Sequence, residues 1–461
     1  MKKPSPKNLH QSLFRRLLRT IPTNKTEYHQ KKVPFFLLLL TVVVSGYIVF
    51  RAISAVEQYL DHFELSDLVS IFSEDLDVDQ HQRTNILILG VGGGIHDGAD
   101  LTDTIMIGSL HKSSGHAGLL SLPRDIWLDI PGYKAGRINR IYEGLKPVYG
   151  SEQALSILKG GIENMSNLNI PYYIKVDFDA FKGLVDLLEG VEVEVLKNIY
   201  DTQYPKEDGS GYETFAIEAG LQTMDGTTAL KFVRSRHSTS DFDRAQRQQL
   251  VISAMKRRAA ELKLFRSPLK LKQIYEELAE HIETNLKVTE MISLARFARD
   301  FDTENISSAV LKDQDVIDMG SFFYTPERQY YGGAFVLIPD GDSYRDVQKF
   351  TRFLFDSPEF FQEKASVQIL NATTKTGLAA EIGNRLIKFG FNVQRYDNAR
   401  EKTYQTSFFI INHPEKTQAT EAVLQELYPK MLKLRGEPPE PVDDNYDITI
   451  VLSYDLIPVQ E

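Results

Sequence analysis

Residues 85–110 read NILILGVGGGIHDGADLTDTIMIGSL, and the fold follows from how that stretch is built. Two apolar runs, NILILG and DTIMIGSL, flank a loop of glycine and aspartate, and a third run, AGLLSLP (117–123), follows closely. Continuous apolar runs bounded by turn residues predict central strands of a sheet covered on both faces. Helical periodicity covers 151–168 and 178–189, VEVEV (191–195) reads as a strand, and a polar, Gly-rich loop is expected from about 200 to 212. A long helix is expected over 242–262, with helical segments near 269–283 and 288–300. Strands alternating with helices predict a layered α/β domain over 84–355. From Ser366 the pattern restarts as strand VQIL, helix 375–389, strands FNVQRY and TSFFIIN, helix 416–434 and strand DITIVLSY. That β-α-β-β-α-β order predicts a second, small α+β domain over 366–455.

Upstream of these domains the chemistry changes. Residues 1–32 carry nine Lys or Arg against the single acid Glu27, although the 461-residue chain as a whole has a net charge of -10. VPFFLLLLTVVVSGYIVF (33–50) then runs without a charge and, as a helix, spans roughly 27 Å, close to the hydrocarbon thickness of a bilayer. The basic flank predicts a cytoplasmic tail (1–32), a single transmembrane helix (33–53) and a stalk (54–83) leading to an extracytoplasmic body. The rival is a cleaved signal peptide, with Ala52-Ile53-Ser54 as a small-x-small site. The 32-residue n-region and the length of the apolar run favour the anchor. A basic tail on an acidic body is a topology signal, and nucleic acid is not an expected partner. The absence of cysteine removes disulfides, thiolate metal sites and thiol nucleophiles.

The glycine loop GVGGGIHDG invites a nucleotide reading and fails its tests. No Gly-Lys-Ser/Thr occurs, and the G-x-G-x-x-G frame from Gly90 puts Ile95 where the last glycine belongs. A structural turn and a ligand-facing loop both stay open. After it come Asp97, Asp100 and Asp103, carboxylates of a kind suited to Mg²⁺, with solvated loop acids as the bland alternative.

Arginines carry the sharper signal. Arg124 in SLPRD follows the third strand, at the end of an open sheet where ligands sit. Arg234 and Arg236 recur with period 2 on what reads as extended chain. Arg244 and Gln248 lie four apart on the next helix, with Arg247 beside them, and Asp241 or Asp243 stands where a helix cap belongs. Surface ion pairing is the alternative. Against it, the body is acidic overall, and guanidinium forks suit bidentate contact with phosphate oxygens. Arginines facing a carboxylate-bound Mg²⁺ fit pyrophosphate recognition and phosphoryl transfer.

On these residues the chain resembles the LytR–CpsA–Psr family of cell-envelope proteins. The resemblance rests on LTDTIMIGSL, LSLPRDIWLDIPG, RINRIYEG, NIPYYIKVDFDAFKGLVDLLEGVEV and MDGTTALKFVRSRHSTSDFDRAQRQQ, in that order over 84–262. Residues 366–454, opening VQILNATTKTGLA, resemble the family's C-terminal accessory domain. The resemblance implies a three-layer α-β-α sandwich that binds a polyprenyl-pyrophosphate lipid. It further implies a phosphotransferase that moves a glycopolymer from that lipid to peptidoglycan. Carried over by position, Asp103 would ligate Mg²⁺, and Arg124, Arg234, Arg236, Arg244 and Gln248 would hold the pyrophosphate. Asp241 would stand near the reaction centre, as base for the attacking hydroxyl or as helix cap.

Two departures bear on the site. Gly92 stands where the family has an Asp, which leaves Asp100, or Asp97, to supply the second metal ligand. Leu101 replaces a family Arg, for which Arg140 is the candidate substitute. Phe178, Phe181, Leu184 and Leu187 fit a lipid pocket or a core equally, since the two share composition. Besides the transferase, a non-catalytic polyprenyl-phosphate-binding protein and a pyrophosphatase acting on the lipid carrier fit the same residues.

Overall fold

The computed structural model describes residues 76–94, 98–111, 115–206, 210–235, 247, 250–251, 254–255, 257–258, 261–262, 281–287, 289–291, 293–294, 306–311, 321–341, 343–434, 443 and 445–456. The expected tail, transmembrane helix and most of the stalk lie outside them. Among the described residues no helix is long and apolar enough to cross a membrane.

The three apolar runs form β1 (Arg83–Val91), β2 (Thr102–His111) and β3 (His116–Leu122), joined as antiparallel neighbours. Strand Tyr172–Val176 adds parallel to β1, and Ile306–Val310 adds parallel to β3. Ile282–Thr284 closes the free edge beside Tyr172–Val176, completing a six-stranded mixed sheet. Alternation sorts the side chains. Leu87, Leu89, Ile105, Ile107, Leu120 and Leu122 join one core with helices α1 (Ile138–Tyr149), α2 (Ser151–Ser166) and, from further along the chain, Arg345–Asp356. Ile86, Ile88, Met106, Leu119 and Ile174 on the opposite face are equally buried, so both faces of this α/β sheet are covered, as its apolar runs require.

A second core is built from α3 (Phe178–Leu187), α4 (Gly226–Arg234) and two two-stranded antiparallel sheets. VEVEV pairs with Gly220–Met224, apart from the main sheet. The loop expected over 200–212 is instead a hairpin, Ile199–Pro205 against Tyr212–Ile217. Its inward positions are Ile199, Asp201, Tyr204 and Phe215, and the buried polar Asp201 hides the alternation from a hydropathy reading. The helix expected to end at 283 is corrected as well: Ile282 and Glu283 are strand. Of the helix expected over 242–262, residues 247, 250–251, 254–255, 257–258 and 261 are helical, and the rest lie outside the described residues.

The C-terminal sheet has five strands, ordered Asn392–Asn398, Ser366–Asn371, Ile448–Leu452, Phe408–Ile411 and Leu432–Lys433. The helix expected over 416–434 stops at Leu427, because Pro429 pushes Tyr428 off helical geometry. The freed residues 432–433 then pair with Phe408–Phe409 at the sheet edge. α5 (Arg345–Asp356) packs Phe350 and Phe353 against Phe322, Phe361 and Phe389, so the main apolar core runs from the first sheet into the second without a break.

β1 is fixed at its start by a buried charge. The Arg83 guanidinium is 4% exposed and bonds Asp79 on one side and Asp356, at the end of α5, on the other. Burial raises the Asp79 carboxyl, but hydrogen bonds from the Arg83 side chain and backbone, with the guanidinium charge and the His81 N–H, outweigh it and hold the group below its ordinary value. The folded state therefore gains stability from ionised Asp79 above pH 3.8, and loses it as pH falls through the depressed value. Asp79→Asn is expected to cost about 3 kcal/mol near neutral pH by chemical denaturation of the full chain, the wild-type advantage vanishing in strong acid. A constant difference across pH would contradict this.

Candidate functional site

Strand directions gather the site at one edge of the sheet. β1 and Tyr172–Val176 end there, β2 begins there, and β3 ends there, with Gly90 opposite Thr104 and Val176, and Ile105 opposite Leu122. The loop leaving β1 depends on close approach. A Cβ at Gly90 would meet Thr104 Cβ at 2.9 Å, and Gly93, at φ +72°, lies equally close to Asp177 Cβ. The glycines are thus required by packing at these two points. Leu101 lays its side chain over Gly98.

Of the candidate metal ligands, Asp103 Oδ1 accepts from Arg124 Nη1 at 3.0 Å, both side chains about two-fifths exposed. Both Asp100 oxygens accept from Lys146 Nζ at 2.7 Å. Lys146 on α1 thus supplies a cation beside the loop, and Arg140, the candidate for that part, lies exposed on the same helix. The frame behind these pairs is made by Asn139. Its N–H donates to Arg124 O (3.3 Å) and its carbonyl accepts from Thr102 Oγ1 (3.4 Å). Asn139 is 3% exposed, and its side-chain Oδ1 is buried with no hydrogen-bond partner.

A second cationic centre was not foreseen. Lys175 donates to Tyr142 Oη (2.7 Å), contacts Glu283 (2.6 Å), and lies 4.8 Å from the centre of the Tyr142 ring. Burial alone would depress this ammonium, but Glu283 and Tyr142 outweigh it and hold Lys175 charged above its ordinary value. The signal in the sequence is a lysine in phase with Tyr173, on the buried face of the strand YYIKV.

Arg234 departs from the extended reading. It is the last residue of α4, a helix capped by Asp225, whose carboxylate accepts from Thr228 N. Its guanidinium stacks 4.2 Å from the Phe178 ring centre and reaches Tyr204 Oη at 3.4 Å. Because Asp177, next to Phe178, packs on Gly93, Arg234 borders the same edge from the side opposite Arg124. Phe181 and Leu184 are buried in the second core, with Phe178 and Leu187 partly buried against it. Arg236, Asp241, Arg244 and Gln248 lie outside the described residues, as does Asp97. Arg247 is buried, and donates to Phe232 O and Ser235 O while Ser235 Oγ bonds Asp201. It holds the end of α4 in place.

Among the described residues, Asp177, Asp179 and His281 bring ligand atoms within 4.8 Å of one another. Their bonds serve the fold instead: Asp177 Oδ1 caps Ala180 N, Asp177 Oδ2 meets His281 Nδ1, and Asp179 pairs with Lys182. The helix N-terminus there also disfavours a cation. A groove of about 1130 Å³ lined by Arg83, Asn167, Arg345 and Lys349 opens at the other end of β1, remote from this edge.

Burial separates the two kinds of arginine. Arg247→Ala strips charge-assisted donors from two carbonyls and is expected to cost about 3 kcal/mol of unfolding free energy. Arg124→Ala breaks an exposed pair and is expected to cost less than about 1 kcal/mol. Equal losses in denaturant titrations would refute that division.

The chain is 24% identical over 322 residues to the polyisoprenyl-teichoic acid–peptidoglycan teichoic acid transferase TagV of Bacillus subtilis, covering 68% of this chain and 75% of that protein. It is 30% identical over 291 residues to the TagU transferase of Oceanobacillus iheyensis, covering 59% and 82%. The crystal structure of B. subtilis TagV superposes with a TM-score of 0.40 at 21% identity, over 60% of this chain and 99% of that one. Residues 364–455 match the model described as LytR cell envelope-related transcriptional attenuator. Residues 47–333, more than half of the chain, match the LytR_cpsA_psr family model, and the chain belongs to that family.

Proposed function

We propose that the chain is a phosphotransferase of cell-wall assembly, moving a glycopolymer from a polyprenyl-pyrophosphate lipid carrier to peptidoglycan. The observation that carries the reading is the pairing of exposed Arg124 with Asp103 at the sheet edge where β1, β2 and β3 meet. The names of the TagV and TagU relatives, both teichoic acid transferases, support the substrate class. The anchor expected over 33–53 would hold the body at the outer membrane face, within reach of a lipid-linked donor.

Arg124 and Arg234 flank the edge and would grip the pyrophosphate, with Arg236, Arg244 and Gln248 joining from the segment after α4. An acceptor hydroxyl attacks the sugar-linked phosphorus, giving its proton to Asp241. The phosphorus–oxygen bond to the carrier breaks, and polyprenyl phosphate leaves with the electron pair. Asp103 and Asp100 are hard oxygen donors of the type Mg²⁺ takes, and they would hold that ion once parted from Arg124 and Lys146. Bound there, Mg²⁺ would supply charge neutralisation on the pyrophosphate.

The full chain in detergent, given a polyprenyl-pyrophosphate glycan and peptidoglycan, is expected to transfer glycan with Mg²⁺ and not with EDTA. Arg124→Ala is expected to lower the rate about 100-fold. Tight lipid binding without turnover would replace the transferase by a carrier-binding protein. Phosphate release without transfer would make it a pyrophosphatase.

A further inference from the structure

At the start of β1, away from the polar edge, the groove of about 1130 Å³ runs between the end of α2 and the first turns of α5, and its charges do not balance. Its two acids are already engaged. Asp79 is committed to Arg83, and Glu163 accepts from Lys159 Nζ (3.1 Å) and from the Ile170 N–H (2.7 Å). Arg345 and Lys349 line the groove four apart on α5, and among the described residues neither forms an ion pair. Arg352, a further turn along, is paired with Glu426. Asp346, the acid beside Arg345, is taken by Lys388 at 2.7 Å. Like charges four apart on a helix destabilise it, so an anion shared by Arg345 and Lys349 removes a cost that the empty groove carries. Guanidinium and ammonium donors together suit the oxygens of a phosphate.

The rest of the lining narrows the class of anion. Asn164, Asn167 and Asn169 stand at and just beyond the end of α2, and Gln348 Nε2 ties α5 to them by donating to Asn164 O at 3.1 Å. The three asparagines are exposed, and among the described residues their side chains make no hydrogen bond. Each amide offers two donors and an acceptor, the complement of the hydroxyls of a sugar or polyol. Val78 and Leu168 are the apolar members of the lining, and Leu168 is buried, so the groove gives an acyl chain no seat. We propose that this groove binds a segment of a phosphate-bearing glycan chain, its phosphate on Arg345 and Lys349 and its hydroxyls on the asparagines. The nine residues of β1 span about 30 Å, so the segment lies remote from the phosphorus that reacts at the polar edge. Its identity as the polymer under transfer rests on the transferase reading. The glycan site itself is tested without a lipid carrier.

The probe is a fluorescent oligomer of glucose-bearing glycerol units joined by phosphodiesters, titrated into the full chain in neutral detergent and followed by anisotropy, beside thermal unfolding. Arg345→Ala combined with Lys349→Ala is expected to weaken binding about tenfold or more with the melting temperature unchanged. Asn164→Ala combined with Asn169→Ala is expected to weaken the oligomer about threefold or more and to leave inorganic polyphosphate binding as it was. Absence of oligomer binding by the wild type, or binding that both double variants leave intact, would overturn the proposal. Oligomer binding that depends on the cations and is indifferent to the asparagines would reduce the groove to a general anion patch and overturn glycan recognition. If a soluble short-chain phosphatidylglycerol needs Arg345 and Lys349 and the oligomer does not, a lipid headgroup takes the groove instead. Oligomer binding lost in both double variants, without glycan transfer by the wild type, leaves the groove assigned and removes the transferase reading. Transfer by the wild type, with oligomer binding indifferent to both, gives the reverse.

Discussion

The burial of β1 on both faces constrains everything else in the first domain. From Arg83 to Leu89 every residue is buried, and such a strand is stable only with neighbours on both sides and layers above and below. β2 and Tyr172–Val176 supply the neighbours, and α1, α2 and α5 cover one face. The polar groups are thereby driven to the two ends. At the start, Arg83 is clamped between Asp79 and Asp356, tying the incoming chain to α5. At the finish, the loop after Val91 meets the start of β2 and the end of β3, and the ionisable groups collect there.

The site combines a rigid frame with exchangeable ion pairs. Arg247, buried against the end of α4, and the Asn139 backbone bonds fix where Arg234 and Arg124 stand. The Arg124–Asp103 and Lys146–Asp100 pairs are each about a third or more exposed, and pairs of that kind contribute little to stability. Such pairs can be parted at small cost, so the arginine is free to turn to a phosphate and the carboxylate to a cation. On the proposed reading, this loosely paired state is what lets the edge admit a doubly charged ligand.

Much of this was legible in the chain, for physical reasons. NILILG, DTIMIGSL and AGLLSLP allow no solvated face, so their central placement followed from hydropathy alone. Arg124 and Asp103 were legible because each stands directly at the end of such a strand. Period-2 spacing misled at Arg234, since the cap at Asp225 organises a helix that local alternation does not reveal. The hairpin at 199–217 was missed because buried Asp201 is polar, its place fixed by a bond to Ser235 that no local pattern contains. Lys146, Lys175 and Asn139 owe their importance to partners far along the chain, and only the folded arrangement brings Lys175 to Tyr142 or Asn139 to Thr102. The stop of the second accessory helix was readable from Pro429.

The central claim is that the polar edge at the ends of β1 and β3 is where the lipid-linked pyrophosphate is held. The most direct measurement is a crystal structure of the chain with a short-chain polyprenyl pyrophosphate and Mg²⁺. The account predicts pyrophosphate density against Arg124 and Arg234, with the Arg124–Asp103 pair parted. Density confined to the groove beside Arg345 and Lys349, at the opposite end of β1, with that pair intact, would contradict it.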